Sequence, residues 1–288
     1  MSLSYYSNNE AIDKGNTINN FRNIFEKYKI NKPTLEEALY HIFISSDISK
    51  DDSKALTNDI LMKCHNRIDQ VYDNIKNKFN ISKEEAYTIC SYTCESMIKD
   101  FSPYKILNKN MVTEDRKNGI ENIYKYLYIL LLALRKLPKY FPDDNNKFLY
   151  RCIRSKVNLN EPNGYKIGII KTFYAFTSTS TNPILSYKFL EKENEIKTGT
   201  IFSLGGDIWG YDISLFSFFN EKEILLEPER QFKIYKILPE LNGVIHIDGT
   251  YIDTPIPLDE ESSENPLKKL YYMKKNYIDS LNQGNNDG

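Results

Sequence analysis

The hydrophobic period of this chain changes once, near Pro142, and that single change limits the folds open to it. Before Pro142 apolar residues recur at three- and four-residue intervals, the spacing of one helix face. After it come short β-branched and aromatic runs at 148–153, 168–176, 200–204, 211–218, 222–227, 232–238 and 243–247, separated by Asn, Gly, Asp and Pro. A parallel βαβ array needs a helical crossover between most strands, and only 185–189 reads as a helix among them. The pattern predicts an α+β protein. A helical N-terminal half, residues 1–140, packs beside a small mixed two-sheet β-sandwich over 141–256. A C-terminal segment, 257–288, holds an acidic stretch, a short amphipathic stretch at 267–281 and a polar tail with the composition of disordered chain.

Within the first half, Thr34 with Glu37 and Ser82 with Glu85 have the spacing of capping boxes, each opening a helix. The second carries Ala86, Ile89, Cys90, Thr93 and Met97. Between the two boxes, Leu56, Ile60, Leu61, Ile68, Val71, Ile75 and Phe79 form one apolar stripe. Ile120, Ile123, Leu127, Leu130, Leu131 and Leu134 build a further helix, which Pro138 ends. At 288 residues the chain can bury a substantial core. A formal net charge of −1 gives no general attraction to nucleic acid or anionic membrane. The start lacks the basic and apolar regions of a signal peptide, and no run reaches the roughly 18 apolar residues of a membrane span. These features point to a cytoplasmic protein, with export by another route left open. The four cysteines show no paired framework, which fits a reduced compartment.

Three clusters in the second half carry chemistry. Glu221 and Glu223 alternate with Lys222 and Ile224 in a short strand-like run closed by Pro228. Residues two apart on a strand share a face, so both carboxylates project together, an arrangement that costs a purely structural strand repulsion. Arg151 lies inside the apolar run 148–153. Ser178, Thr179 and Ser180 stand at the end of another run, after Phe176.

In that order, an arginine, a Ser-Thr-Ser and a Glu-x-Glu, the chain resembles the mono-ADP-ribosyltransferases of the arginine–serine–glutamate class, which includes bacterial toxins and vertebrate ecto-enzymes. The flanks agree: Ala133, Leu134, Arg135, Lys136, Leu137 and Pro138 before the arginine run, Asp212, Ile213 and Ser214 before the glutamates, and Phe232, Lys233 and Ile234 after them. The resemblance covers roughly residues 80–240. It implies transfer of one ADP-ribose from NAD, as co-substrate and without a metal, to an arginine of a protein acceptor, with release of nicotinamide. Glu223 would steady the ribosyl cation formed as the glycosidic bond breaks, the electrostatic problem that glycoside hydrolysis poses. Glu221 would orient and help deprotonate the acceptor. Ser178 would fix the rotamer of Glu223, with Thr179 and Ser180 shaping the strand end. Arg151 would hold the NAD phosphates through its planar fork.

Rivals remain at this level. Arg154 competes with Arg151. Cys152 occupies a position where the family usually has glycine, whose main chain clasps the nicotinamide amide; cysteine can do so only if φ stays negative. A relative of the same fold could pass ADP-ribose to water, or act as a catalytically weak binding module. Cys64, His65, Cys90 and Cys94 read as core more than as a metal site. His41, His65 and His246 are scattered away from the motifs, and Gly205 with Gly206 lacks the strand–turn–helix setting of a dinucleotide fingerprint.

Overall fold

A computed structural model describes residues 31–113, 115–142, 147–160, 164–190, 198–219 and 222–252. Glu221 and the segment after 252 therefore lie outside the described residues, as does most of the N-terminal stretch before Thr34. Helices α1 (Leu35–Ile44), α2 (Lys50–Asp69), α3 (Tyr72–Lys78), α4 (Lys83–Thr93), α5 (Pro103–Met111) and α6 (Arg116–Leu134) make the first half. Both capping boxes form. Thr34 Oγ1 accepts from the Glu37 N–H at 3.2 Å while Glu37 accepts from the Thr34 N–H at 2.9 Å. Ser82 and Glu85 repeat the exchange at 3.3 and 2.9 Å. Each box satisfies main-chain donors that the first helical turn leaves without partners.

Two details differ from the sequence pattern. The stripe from 56 to 79 is divided, because the chain breaks at Gln70 and Val71 between α2 and α3. Helix α4 stops at Thr93, so Met97 lies beyond it and is exposed. Helix α5 is not visible in the pattern, since Lys and Asn dilute its apolar face of Ile106, Leu107 and Met111.

The second half contains β1 (Lys139–Tyr140), β2 (Leu149–Ile153), β3 (Ile170–Phe173), β4 (Thr177–Ser180), β5 (Gly199–Gly205), β6 (Gly210–Asp212), β7 (Glu223–Leu226), β8 (Arg230–Leu241) and β9 (Val244–Ile252), with helix α7 (Pro183–Leu190) between β4 and β5. The expected run 168–176 holds only β3, and the hydroxyl cluster after it forms a separate strand, β4. The expected run 211–218 contributes only β6; beyond it Asp212 Oδ1 accepts from the Ser214 N–H at 3.0 Å and turns the chain. Strands β8 and β9 are longer than expected and meet at Asn242 and Gly243, both with positive φ, as a two-residue hairpin turn requires.

The strand order is β1-β6-β7-β4-β2-β5-β9-β8-β3. All neighbours are antiparallel except β5 and β9, so the sheet is mixed. The two sheets of the sequence expectation are one continuous ladder, joined at β2 and β4 by the single pair Tyr150 and Ser180. On one side of that joint lie β1, β6, β7 and β4; on the other lie β2, β5, β9, β8 and β3. One apolar cluster runs through both halves of the protein, from Leu39, Phe43 and Leu131 on the helices to Phe202 in β5 and Phe176 and Phe216 beside the strands.

Candidate active site

Strand β7 is short, apolar and flanked on both sides, by β6 and β4. Gly210 makes the β6 contact close: a Cβ there would lie 2.7 Å from Ile224 Cγ2 and 2.9 Å from the Leu225 carbonyl oxygen. Glu223 begins the strand and is 7% exposed. The β4–β7 register places Ser180 opposite Glu223, Thr179 opposite Ile224, Ser178 opposite Leu225 and Thr177 opposite Leu226. Directly opposed residues of an antiparallel pair point to the same face, and the face alternates along each strand. Ser178, Ser180 and Glu223 therefore share one face. Thr179 is on the other, buried, its hydroxyl donating to the Ile224 carbonyl at 2.6 Å. Of the three hydroxyls expected at the NAD site, Thr179 instead secures the strand pair.

Arg151 sits in the middle of β2, opposite Phe202 of β5, and reaches across the joint in the sheet. Its Nη1 donates to the Ser178 carbonyl at 3.0 Å. Strand β2 ends at Ile153, so Arg154 lies in the bend after it, and strand alternation does not decide between the two arginines. Cys152 has no positive φ, which meets the condition for its main chain to stand in for a glycine. Its side chain packs with Leu190, Ile201 and Val244 beneath α7. Burial pushes the thiol up to about 12, against the nearby charges of Arg151 and Arg154. A thiol so held is a packing group and a poor nucleophile.

The helical half supplies a residue that no motif indicates. Tyr92 of α4 is buried, its ring 5.5 Å from that of Phe176, just before β4, and its hydroxyl accepts from Asn108 Nδ2 at 3.4 Å. Burial raises the Tyr92 pKa, the Asn108 bond lowers it, the Glu223 carboxylate raises it and the Arg151 guanidinium lowers it. The Glu223 and Arg151 charges thus act on Tyr92 with opposite signs, while the sheet sets Arg151 against the Ser178 carbonyl and Ser178 on the face of Glu223.

The far end of β7 is also tied to the helices. Glu227, next after the strand, accepts from Arg135 Nε and Nη2, each at 2.9 Å, and from the Tyr211 hydroxyl at 2.8 Å. Arg135 caps α6 and lies within the flank Ala133–Pro138. Burial alone would raise the Glu227 carboxyl, but Arg135, with Arg230 and the tyrosine bond, outweighs it and holds the group below its ordinary 4.5. The only sequence sign of this pair is that both residues stand at element ends.

Cys64, Cys90 and Cys94 do come together in the helical core, where the neighbouring thiols and burial keep Cys64 protonated. Among the described residues no group of three His, Cys, Asp or Glu side chains is arranged to hold a metal ion, and no helix is long and apolar enough to cross a membrane.

No model of a known protein family matches the sequence, and no curated protein matches it. Solved structures do match the backbone. The type III effector XopAI from Xanthomonas axonopodis pv. citri aligns with a TM-score of 0.52 at 14% identity, over 84% of this chain and 95% of that one. The eukaryotic mono-ADP-ribosyltransferase ART2.2, solved as a variant in complex with NADH, gives 0.51 at 15% identity, over 81% and 88%. The ADP-ribosyltransferase Vis gives 0.48 at 22% identity, over 68% and 86%. The first two alignments show that this chain shares its α+β fold with the effector XopAI and with the mono-ADP-ribosyltransferase ART2.2.

Proposed function

We infer that this protein cleaves the nicotinamide–ribose bond of NAD and transfers the ADP-ribose to arginine side chains of a protein acceptor. The observation that carries the reading is that three strands of this fold set Arg151 against the Ser178 carbonyl and place Ser178 on the face that carries Glu223. ART2.2, which shares the fold, was solved with NADH bound, and this supports a nicotinamide nucleotide as the ligand.

Arg151, with Nη1 donating to the Ser178 carbonyl, is held in one orientation, and the planar fork of a guanidinium matches phosphate oxygens. Glu223, largely withdrawn from water, presents a carboxylate whose attraction for a developing oxocarbenium ion is weakly screened. Nicotinamide leaves with the electron pair of the C–N bond. A guanidinium nitrogen of the acceptor then forms the new bond at the anomeric carbon, and its surplus proton passes to Glu221. A guanidinium is protonated at neutral pH and a poor nucleophile until a carboxylate takes that proton. The Glu-x-Glu pattern is what favours arginine over water or another side chain.

The test is incubation with labelled NAD, first alone, then with agmatine, then with a mixed protein extract. Label on agmatine and on protein, removable by reagents that cleave arginine linkages, is the expected result. Free ADP-ribose alone would replace the reading with hydrolysis, and no turnover at all would leave a binding module.

A further inference from the structure

The loop 213–219 delivers the chain towards the strand that carries Glu223, and the helical half holds this loop from behind. Phe216 and Ser217 are buried, and the Phe216 ring stacks on Phe79, just after α3, at 5.9 Å. Arg67 of α2 donates from Nε to the Ser217 carbonyl at 3.3 Å. Thr93, the last residue of α4, accepts the Phe218 N–H on Oγ1 at 3.2 Å. Its own hydroxyl donates to the Cys90 carbonyl at 3.0 Å, which turns a lone pair towards the loop. Within the loop, the Ile213 carbonyl accepts from the Phe216 and Ser217 N–H groups, and the Ile213 N–H donates to the Glu223 carbonyl at 3.1 Å. Ser217 Oγ accepts from the Phe219 N–H at 3.0 Å. Only the outer side is open, where Phe218 and Phe219 are 38% and 44% exposed.

We propose that Arg67 and Thr93 are positioning residues for the acceptor step: they fasten loop 213–219 to the helical half, so that the loop meets an acceptor already in one conformation beside Glu223. The proposal rests on the transferase reading above. Two features separate the acceptor step from bond cleavage. Glu223 and Ile224 are held by the ladders to Ser180, Thr179 and Asp212 and by the Ile213 N–H at the start of the loop, whereas Arg67 and Thr93 hold its other end, at Ser217 and Phe218. An unfastened loop, by contrast, must be ordered again each time an acceptor docks, and that ordering is drawn from binding.

The test uses Thr93→Val, which keeps the shape and removes the acceptor oxygen, Thr93→Ser, which keeps the oxygen, and Arg67→Met, which keeps the apolar stem. Agmatine KM, NAD hydrolysis without acceptor, and hydrogen exchange at the Phe218 and Phe219 amides are measured on the full chain. Thr93→Val and Arg67→Met should each raise agmatine KM by about tenfold, the scale of one hydrogen bond. NAD hydrolysis should stay within roughly twofold, because a contact that acts only on acceptor docking leaves the cleavage barrier alone. Exchange at the Phe218 amide should quicken in Thr93→Val, and Thr93→Ser should restore both readouts. Parallel loss of transfer and hydrolysis, or an unchanged KM, would overturn the proposal. So would a Phe218 amide equally protected with and without the Thr93 hydroxyl. A wild-type protein inactive on NAD would overturn the transferase reading and the acceptor role together, and the exchange measurement would then judge the fastening alone.

Discussion

Ser180 stands directly opposite Glu223 in the ladder between β4 and β7, and Ser178 lies on the same face one cross-strand step away. The resemblance assigns the support of Glu223 to Ser178, while the register makes Ser180 the nearer hydroxyl. A diagonal neighbour in such a ladder is roughly 7 Å away, which a glutamate side chain can still bridge. If register, and not motif position, decides which hydroxyl orients Glu223 once NAD is bound, Ser180→Ala should lower NAD cleavage by about tenfold, the scale of one hydrogen bond to a charged group. Thr179→Val should leave cleavage unchanged and cost about 1 kcal/mol of stability, because its hydroxyl serves the Ile224 carbonyl on the opposite face. Steady-state assays and urea unfolding of the two variants separate these outcomes. Equal catalytic loss in both would mean that the strand pair acts as a whole.

Arg151 and Arg154 differ in what holds them. Arg151 is inside β2 and donates to the Ser178 carbonyl, whereas Arg154 follows the strand's end. Arg151→Lys should raise the NAD dissociation constant by roughly tenfold, since an ammonium cannot make two parallel bonds to phosphate oxygens. Arg154→Lys should leave it within about twofold. Calorimetry with NAD decides between them, and a reversed order would move the phosphate site to the bend after β2.

The Glu227–Arg135 pair gives a prediction about stability. Its carboxylate accepts three hydrogen bonds and is almost fully buried, so Glu227→Gln, which leaves Arg135 without its partner charge, should destabilise by about 3 kcal/mol. The folded pKa of Glu227 lies below its ordinary 4.5, so the unfolded chain binds the proton more readily. The stabilisation is complete above pH 4.5 and is lost as pH falls through the lower folded value. Urea melts between pH 7 and pH 3 should show this loss in the wild type and a shallower one in the variant. Glu85, also held low despite burial by Lys136 and Ser82, keeps part of the acid dependence in both.

What could be read from the sequence was what is local. The two capping boxes and the change of period near Pro142 depend on residues a few positions apart, and the described structure forms them as spaced. The turn after β6 was hidden because Ile213 and Leu215 alternate with polar residues as a strand would, while Asp212 and Ser217 bond the main chain instead. Tyr92 and the Arg135–Glu227 pair were hidden for another reason. Their partners are supplied by packing between the helical half and the sheet, and contacts 92 residues apart in the chain leave no spacing to recognise. The side on which Thr179 falls is a matter of register, which a run of three hydroxyls does not reveal.

The last prediction separates the two glutamates. Glu223 opens β7 with its ladder contacts in place, and Glu221 precedes it by two residues in the sequence. If Glu223 steadies the ribosyl cation, Glu223→Gln should lower both NAD hydrolysis and transfer by at least about 100-fold, the scale of one preorganised electrostatic partner. NAD binding should change far less, since the charge that it meets develops only in the transition state. Glu221→Gln should behave differently. The cation-steadying carboxylate remains, so slow hydrolysis persists, but no carboxylate receives the guanidinium proton and transfer to agmatine is abolished. Measuring both products in each variant gives four rates, and the pattern among them is the assignment. Equal loss of hydrolysis and transfer in Glu221→Gln would place Glu221 in the cleavage step or the fold. Retained transfer to agmatine would remove it from acceptor selection, and the case for arginine as the acceptor would go with it.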